Sequence, residues 1–214
     1  MINADWLSLL HQHRAIAIIR VSNFDTGLAM AHAVAEAGMG LIEITWNSDR
    51  AGDLIAKLVS DLPNCQIGVG TILNCQDLEN AIAAGAKFAF TPHVDGKIIQ
   101  AAISQDVPIV SGALTPTEIM NAYSYGASSV KVFPVQSVGG IQYIQAIRPP
   151  LGGVPLIPTG GVTINNAKAY LEAGAVAIGI SGELFPKDCI TNQNWSGITQ
   201  QAQRLLQVIS DFRF

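Results

Sequence analysis

The chain has 214 residues, of which 49% are apolar and only 13% charged, and its net charge is −4. An average soluble domain carries roughly 25% charged residues, so this chain can bury enough apolar surface to offset its conformational entropy, and intrinsic disorder is excluded. Its 12 Lys+Arg form no basic cluster, which argues against nucleic-acid binding, and no apolar run approaches the ~18 residues of a membrane span.

The opening MINADWLSLLHQHR has Asp5, His11, His13 and Arg14 where a leader peptide needs its apolar stretch. It reads as an N-terminal helix that closes the floor of a barrel, in a cytoplasmic protein of one domain spanning residues 1–214. The first strand is AIAIIR (15–20), ending in Arg20. A helix-like run then ends at Gly38 and leads into LIEIT (41–45), where Glu43 stands between Ile42 and Ile44. QIGVGT (66–71) follows, and the next helix-like run ends at Gly85 before AKFAFTP (86–92). VPIVSGA (107–113) precedes a third such run, closed by Gly126 before SVKVFP (129–134). VPLIPTGG (154–161) precedes a fourth, closed by Gly174 before AVAIGIS (175–181).

A glycine just past a helix end takes the left-handed conformation that closes the last turn. The recurrence at Gly38, Gly85, Gly126 and Gly174 therefore marks a repeat of two strand–helix units. Eight short strands, apolar on both parities and alternating with helices, predict a (β/α)8 TIM barrel with an N-terminal helix. A doubly wound open sheet would need a glycine fingerprint after the first strand, and Arg20-Val21-Ser22-Asn23 has none. The tail 195–214, with Ile198, Ala202, Leu205, Leu206 and Ile209 at helical spacing, predicts the last barrel helix. Cys65, Cys75 and Cys189 form no C-x-x-C and read as free thiols in a reducing compartment.

Function in such a barrel gathers at the C-terminal ends of the strands. Lys131 interrupts Val130, Val132 and Phe133, and alternation turns it inward if the valines face the helices. A lysine so placed loses hydration, which favours the neutral, nucleophilic amine. Glu43 has the same inward parity, and a buried carboxylate needs a partner or stays protonated, so Lys131 is its natural partner. Together they suit carbonyl chemistry, with the amine as nucleophile and the carboxylate as proton shuttle. Arg20 offers a fork for a carboxylate or phosphate. Gly160 and Gly161 after strand seven, with Ser181 after strand eight, form a phosphate-binding pattern, and Asn165, Asn166 and Gly182 stand near it. His93 is a further candidate base or ligand, but no His/Asp/Glu set has metal-ligand spacing, so no metal and no cofactor are expected. A sugar-phosphate isomerase or a non-catalytic binding barrel would share the same glycines.

LIEIT (41–45), GVGTILN (68–74), FTPHVD (90–95), KVFP (131–134), PTGGV (158–162) and GIS (179–181) stand in this order along the chain. With them the sequence resembles the 2-keto-3-deoxy-6-phosphogluconate (KDPG) and 4-hydroxy-2-oxoglutarate (KHG) aldolases, including the phosphogalactonate variants, over about residues 10–205. The resemblance implies a metal-free class I Schiff-base aldolase on a (β/α)8 barrel, a homotrimer, acting on a small keto-acid sugar phosphate. By position it implies Lys131 as the Schiff-base lysine and Glu43 as the acid/base. It implies Thr71 at the pyruvate carboxylate, Pro92 and Phe133 as walls of the pyruvate pocket, and Gly160, Gly161 and Ser181 at the phosphate. Many members carry an Arg four residues after the glutamate, where this chain has Asn47. The Asn47-Ser48 pair is more like the phosphogalactonate branch, and Arg20 is left to hold the keto-acid carboxylate.

Overall fold

The computed structural model of the chain describes residues 2–210; Met1 and the last four residues of the expected C-terminal helix lie outside them. The elements run α1 (Ile2–His13), β1 (Ala15–Ile19), α2 (Phe24–Glu36), β2 (Leu41–Thr45), α3 (Ala51–Asp61), β3 (Gln66–Gly70), α4 (Cys75–Ala83), β4 (Ala89–Phe90), α5 (Gly96–Ser104), β5 (Ile109–Ala113), α6 (Pro116–Ser124) and β6 (Ser129–Val132). A single 3-10 turn (Val135–Val138) follows, then α7 (Ile141–Leu151), β7 (Leu156–Pro158), α8 (Ala167–Glu172), β8 (Ile178–Ile180), α9 (Lys187–Thr191) and α10 (Trp195–Ser210).

All strand pairs are parallel, in the order β7-β6-β5-β4-β3-β2-β1-β8. Among the described residues one parallel bridge, Thr159 to Gly179, and a hydrogen bond from Val176 N–H to the Leu156 carbonyl join the two ends of this sheet, so the strands form a nearly closed (β/α)8 barrel. Local chemistry sets the helix ends. Asn23, Asn74 and Asp95 accept from backbone N–H groups of the first turns of α2, α4 and α5. Thr115 and Glu118 form a reciprocal capping box on α6, with Pro116 in its first turn. Gly38, Gly85, Gly126 and Gly174 close α2, α4, α6 and α8 with φ between 97 and 104°. In each case the following residue donates to a carbonyl five residues back, as Met39 does to Val34.

One apolar layer lies between sheet and helices and includes Ile42, Ile44, Val130, Val132, Ile178 and Ile180. A second fills the lumen, where Ile16, Leu41, Phe88, Val110 and Ile157 meet Trp6 and Leu10 of α1. The N-terminal helix therefore plugs the lower end of the barrel, and Trp6 Nε1 donates to Ser129 Oγ at 3.1 Å to hold it there. With the bottom filled, the inward positions near the upper ends of the strands are left to polar residues. β4 is shorter than its sequence suggested, so Thr91, Pro92 and His93 lie in irregular backbone beyond it.

Candidate active site

A cavity of about 320 Å³ occupies the C-terminal mouth of the barrel. Strand alternation turns Glu43 and Lys131 into it. Arg20, Thr71 and Pro92 line it just beyond β1, β3 and β4, and Phe133, Gly160, Gly161 and Ser181 just beyond β6, β7 and β8. All nine residues singled out in the sequence thus border one space. His93 and Asn47 are exposed and outside the lining. Asn165 also lies outside it, and Asn166 is occupied in its own loop, accepting from Thr163 N–H at 2.7 Å and donating to the Gly161 carbonyl at 3.1 Å.

Lys131 is only 7% exposed. Its Nζ lies 5.0 Å from the centre of the Phe133 ring and 5.4 Å from that of Phe90. Glu43 is fully buried, and neither carboxylate oxygen has a hydrogen-bond partner among the described residues. Lys131 and Glu43, read from the sequence as partners across the lumen, form no direct ion pair among the described residues. The two groups instead act on each other through the field across the cavity. Burial raises the Glu43 carboxyl above its ordinary range, and the charges of Lys131 and Arg20 pull it back down. A carboxyl under these opposed influences can both take and give a proton.

The backbone makes room for this group. Gly70 faces the lumen from β3, and a Cβ there would collide with the Glu43 carboxylate. Thr71, next in the chain, has φ 59°, an uncommon conformation for a β-branched residue. Such strain costs about 1–3 kcal/mol and persists where the surroundings over-determine it. Arg20 Nη2 reaches the Thr71 hydroxyl at 3.4 Å, so the mouth has a cation and a hydroxyl side by side.

On the opposite side, Gly160 and Gly161 have φ 84° and 90°. A side chain at Gly161 would run into Gln136, whose N–H donates to the Gly160 carbonyl at 3.1 Å. The N–H groups of Gly161 and Gly182 make no hydrogen bond among the described residues, which leaves them free for an anion. Five more residues line the cavity: Ile18 and Val162, which the sequence reading passed over, and Thr159, Gly179 and Gly182, which stand in or beside the phosphate-binding pattern. Alternation along β1 would have found Ile18, which shares the inward face of Ile16. Among the described residues no group of three or more His, Cys, Asp or Glu could hold a metal, and no helix is long and apolar enough to cross a membrane.

An enclosed lysine and a buried carboxylate at the C-terminal mouth of a (β/α)8 barrel suit a carbon–carbon lyase of the aldolase class. Residues 7–201 match the family model for KDPG and KHG aldolase, and the chain belongs to that family. Among curated relatives, the KHG/KDPG aldolase of Escherichia coli (strain K12) is 30% identical over 200 residues, 94% of each chain. Among solved structures, one described as native KDPGal superposes with TM-score 0.85 at 28% identity, covering 92% of this chain and 94% of that one. The KDPG aldolase from Legionella pneumophila, solved with pyruvate captured as a covalent carbinolamine, superposes with TM-score 0.84 at 27% identity, covering 93% and 97%.

Proposed function

We propose that this chain is a class I aldolase that cleaves 2-keto-3-deoxy-6-phosphogluconate to pyruvate and glyceraldehyde 3-phosphate, and also 4-hydroxy-2-oxoglutarate to pyruvate and glyoxylate. The observation that carries this is the enclosure of Lys131 in the same cavity as the unpartnered Glu43 carboxylate. The neutral amine of Lys131 attacks C2 of the keto acid. Glu43 moves the protons that turn the carbinolamine into a cationic imine, with loss of water. The imine draws electrons from the C3–C4 bond as Glu43 takes the proton of the C4 hydroxyl. The aldehyde leaves, and the enamine of pyruvate stays on Lys131. Glu43 then protonates C3 of the enamine, and water releases pyruvate and the free amine.

Arg20 and Thr71 hold the keto-acid carboxylate, and Pro92 and Phe133 wall the methyl end of pyruvate. Gly160, Gly161 and Ser181 bind the phosphate, whose remote binding energy orients the bond that breaks. Ile103, Met120, Tyr123 and Tyr125 are exposed large hydrophobic residues on and beside α5 and α6. They supply the apolar surface that a homotrimer of this cytoplasmic enzyme would cover.

Borohydride trapping with pyruvate, followed by peptide mass, tests the assignment. A reduced adduct on the Lys131 peptide is expected, and a folded protein with no adduct there overturns it. A second reading, the 6-phosphogalactonate epimer as substrate, is favoured by Asn47 in place of the family arginine. Comparing kcat/KM for the two epimers decides between them.

A further inference from the structure

We infer that Phe90, a residue outside the cavity, holds the cationic imine formed on Lys131 through the face of its ring. The inference rests on the assignment of Lys131 as the Schiff-base lysine.

Phe90 is fully buried on the inward face of β4 and is not among the residues that line the cavity. Its ring centre lies 5.4 Å from Lys131 Nζ, within the ~6 Å over which a cation is drawn to the negative face of an aromatic ring. The position of the ring is fixed from below. Phe90 meets Phe88 edge-on at 5.8 Å, and Phe88 rests on Trp6 at 5.1 Å. Trp6 in turn donates to Ser129, which shares the inward face of β6 with Lys131. The floor helix, an aromatic column and the lysine strand therefore form one rigid support.

Lys131 Nζ makes no hydrogen bond or ion pair among the described residues. The rings of Phe90 and Phe133 lie beside it. When Nζ becomes the nitrogen of a cationic imine, positive charge appears at a buried point beside these two rings. A ring face there favours the imine over the neutral carbinolamine that precedes it, and an aliphatic side chain of similar volume would not. Phe133 borders the cavity and so also touches substrate. Phe90 does not, and its influence passes through Nζ alone, which makes it a positioning residue for the charge.

The test replaces Phe90 with phenylalanine carrying one, two or three ring fluorines, which keep the shape and progressively weaken the negative face. Pyruvate is held at saturation, and the rate of borohydride trapping on Lys131 is read together with kcat. Both are expected to fall stepwise with fluorine number, by about fivefold to thirtyfold at three fluorines, while KM and Tm stay within a narrow range. Phe90→Leu should fall as far as the trifluorinated protein. Trapping and kcat that stay level across the fluorinated series, or that drop only in Phe90→Leu with a loss of Tm, overturn the inference and leave Phe90 as packing. A wild-type protein that traps no pyruvate on Lys131 overturns both the inference and the assignment beneath it, and so is told apart from a flat fluorine series.

Discussion

Glu43 on β2 and Lys131 on β6 stand four strands apart in either direction around the sheet, and so face each other across the barrel lumen. The cavity lies between them, and no direct bond joins them. A carboxylate locked onto the lysine could not also serve the hydroxyl of a substrate. In the proposed reaction the separation leaves each group free for its own step.

Glu43→Gln should lower turnover by roughly 10²- to 10⁴-fold, the range for a positioned acid–base group. The same change should alter stability in a pH-dependent way. Burial raises the native carboxyl above the ordinary carboxylate range. The stability this group contributes is therefore present below the unfolded value and is lost as pH rises through the raised native value. Glutamine cannot ionise, so the variant should match wild type in Tm near about pH 4 and exceed it increasingly above that. Thermal melts across pH check the sign; a variant less stable than wild type at neutral pH would mean that the charges of Lys131 and Arg20 outweigh burial and hold the carboxylate ionised.

Gly70→Ala should damage both stability and chemistry, because the new methyl meets the Glu43 carboxylate. Overpacking of this kind costs roughly 1–3 kcal/mol, and displacing the carboxylate by about 1 Å should cost roughly 10²-fold in kcat. The double variant Gly70→Ala, Glu43→Ala should recover the lost stability and none of the activity. Denaturant midpoints in a double-mutant cycle read the coupling, and strict additivity would show that the two sites do not touch.

Ser181→Ala and Gly161→Ala should raise KM for phosphorylated keto acids more than for 4-hydroxy-2-oxoglutarate, which has no phosphate. The effect should be larger at Gly161, where φ 90° and the Gln136 side chain both oppose a methyl. Steady-state kinetics on the two substrates check this. Equal changes in both would move the phosphate elsewhere.

Tyr170→Phe should stabilise the protein. The Tyr170 hydroxyl is buried with no hydrogen-bond partner among the described residues, and an unsatisfied buried hydroxyl costs about 1–3 kcal/mol. Its removal should raise Tm by about 2–4 °C for each kcal/mol regained in a chain of this size, with kcat unchanged.

Much of the barrel was legible because its signals are local. The four helix-closing glycines and the two-sided apolar strands depend on neighbours a few residues away. Lys131 and Glu43 stood out because a charge between two branched apolar residues conflicts with a buried strand unless it faces a cavity. Three features were out of reach. Gly70 matters only because Glu43 comes beside it from another strand. The short β4 could not be told from a longer strand, since Phe88 and Phe90 are apolar whether or not the ladder continues past them. The missing Lys131–Glu43 bond depends on the width of the lumen, which no sequence spacing encodes.

Among the described residues the sheet is joined end to end by one bridge, between Thr159 and Gly179, and by the hydrogen bond from Val176 N–H to the Leu156 carbonyl at 3.0 Å, and the loops offering Gly161 and Gly182 stand on either side of the bridge. This is the seam of the barrel, and its amides should exchange with deuterium sooner than those of β1 to β3. An anion gripped from both sides would rivet the seam, lending β7 and β8 the cohesion their short ladder lacks. Phosphate alone should then slow exchange along these two strands, so that the ligand completes the barrel mechanically as well as entering it.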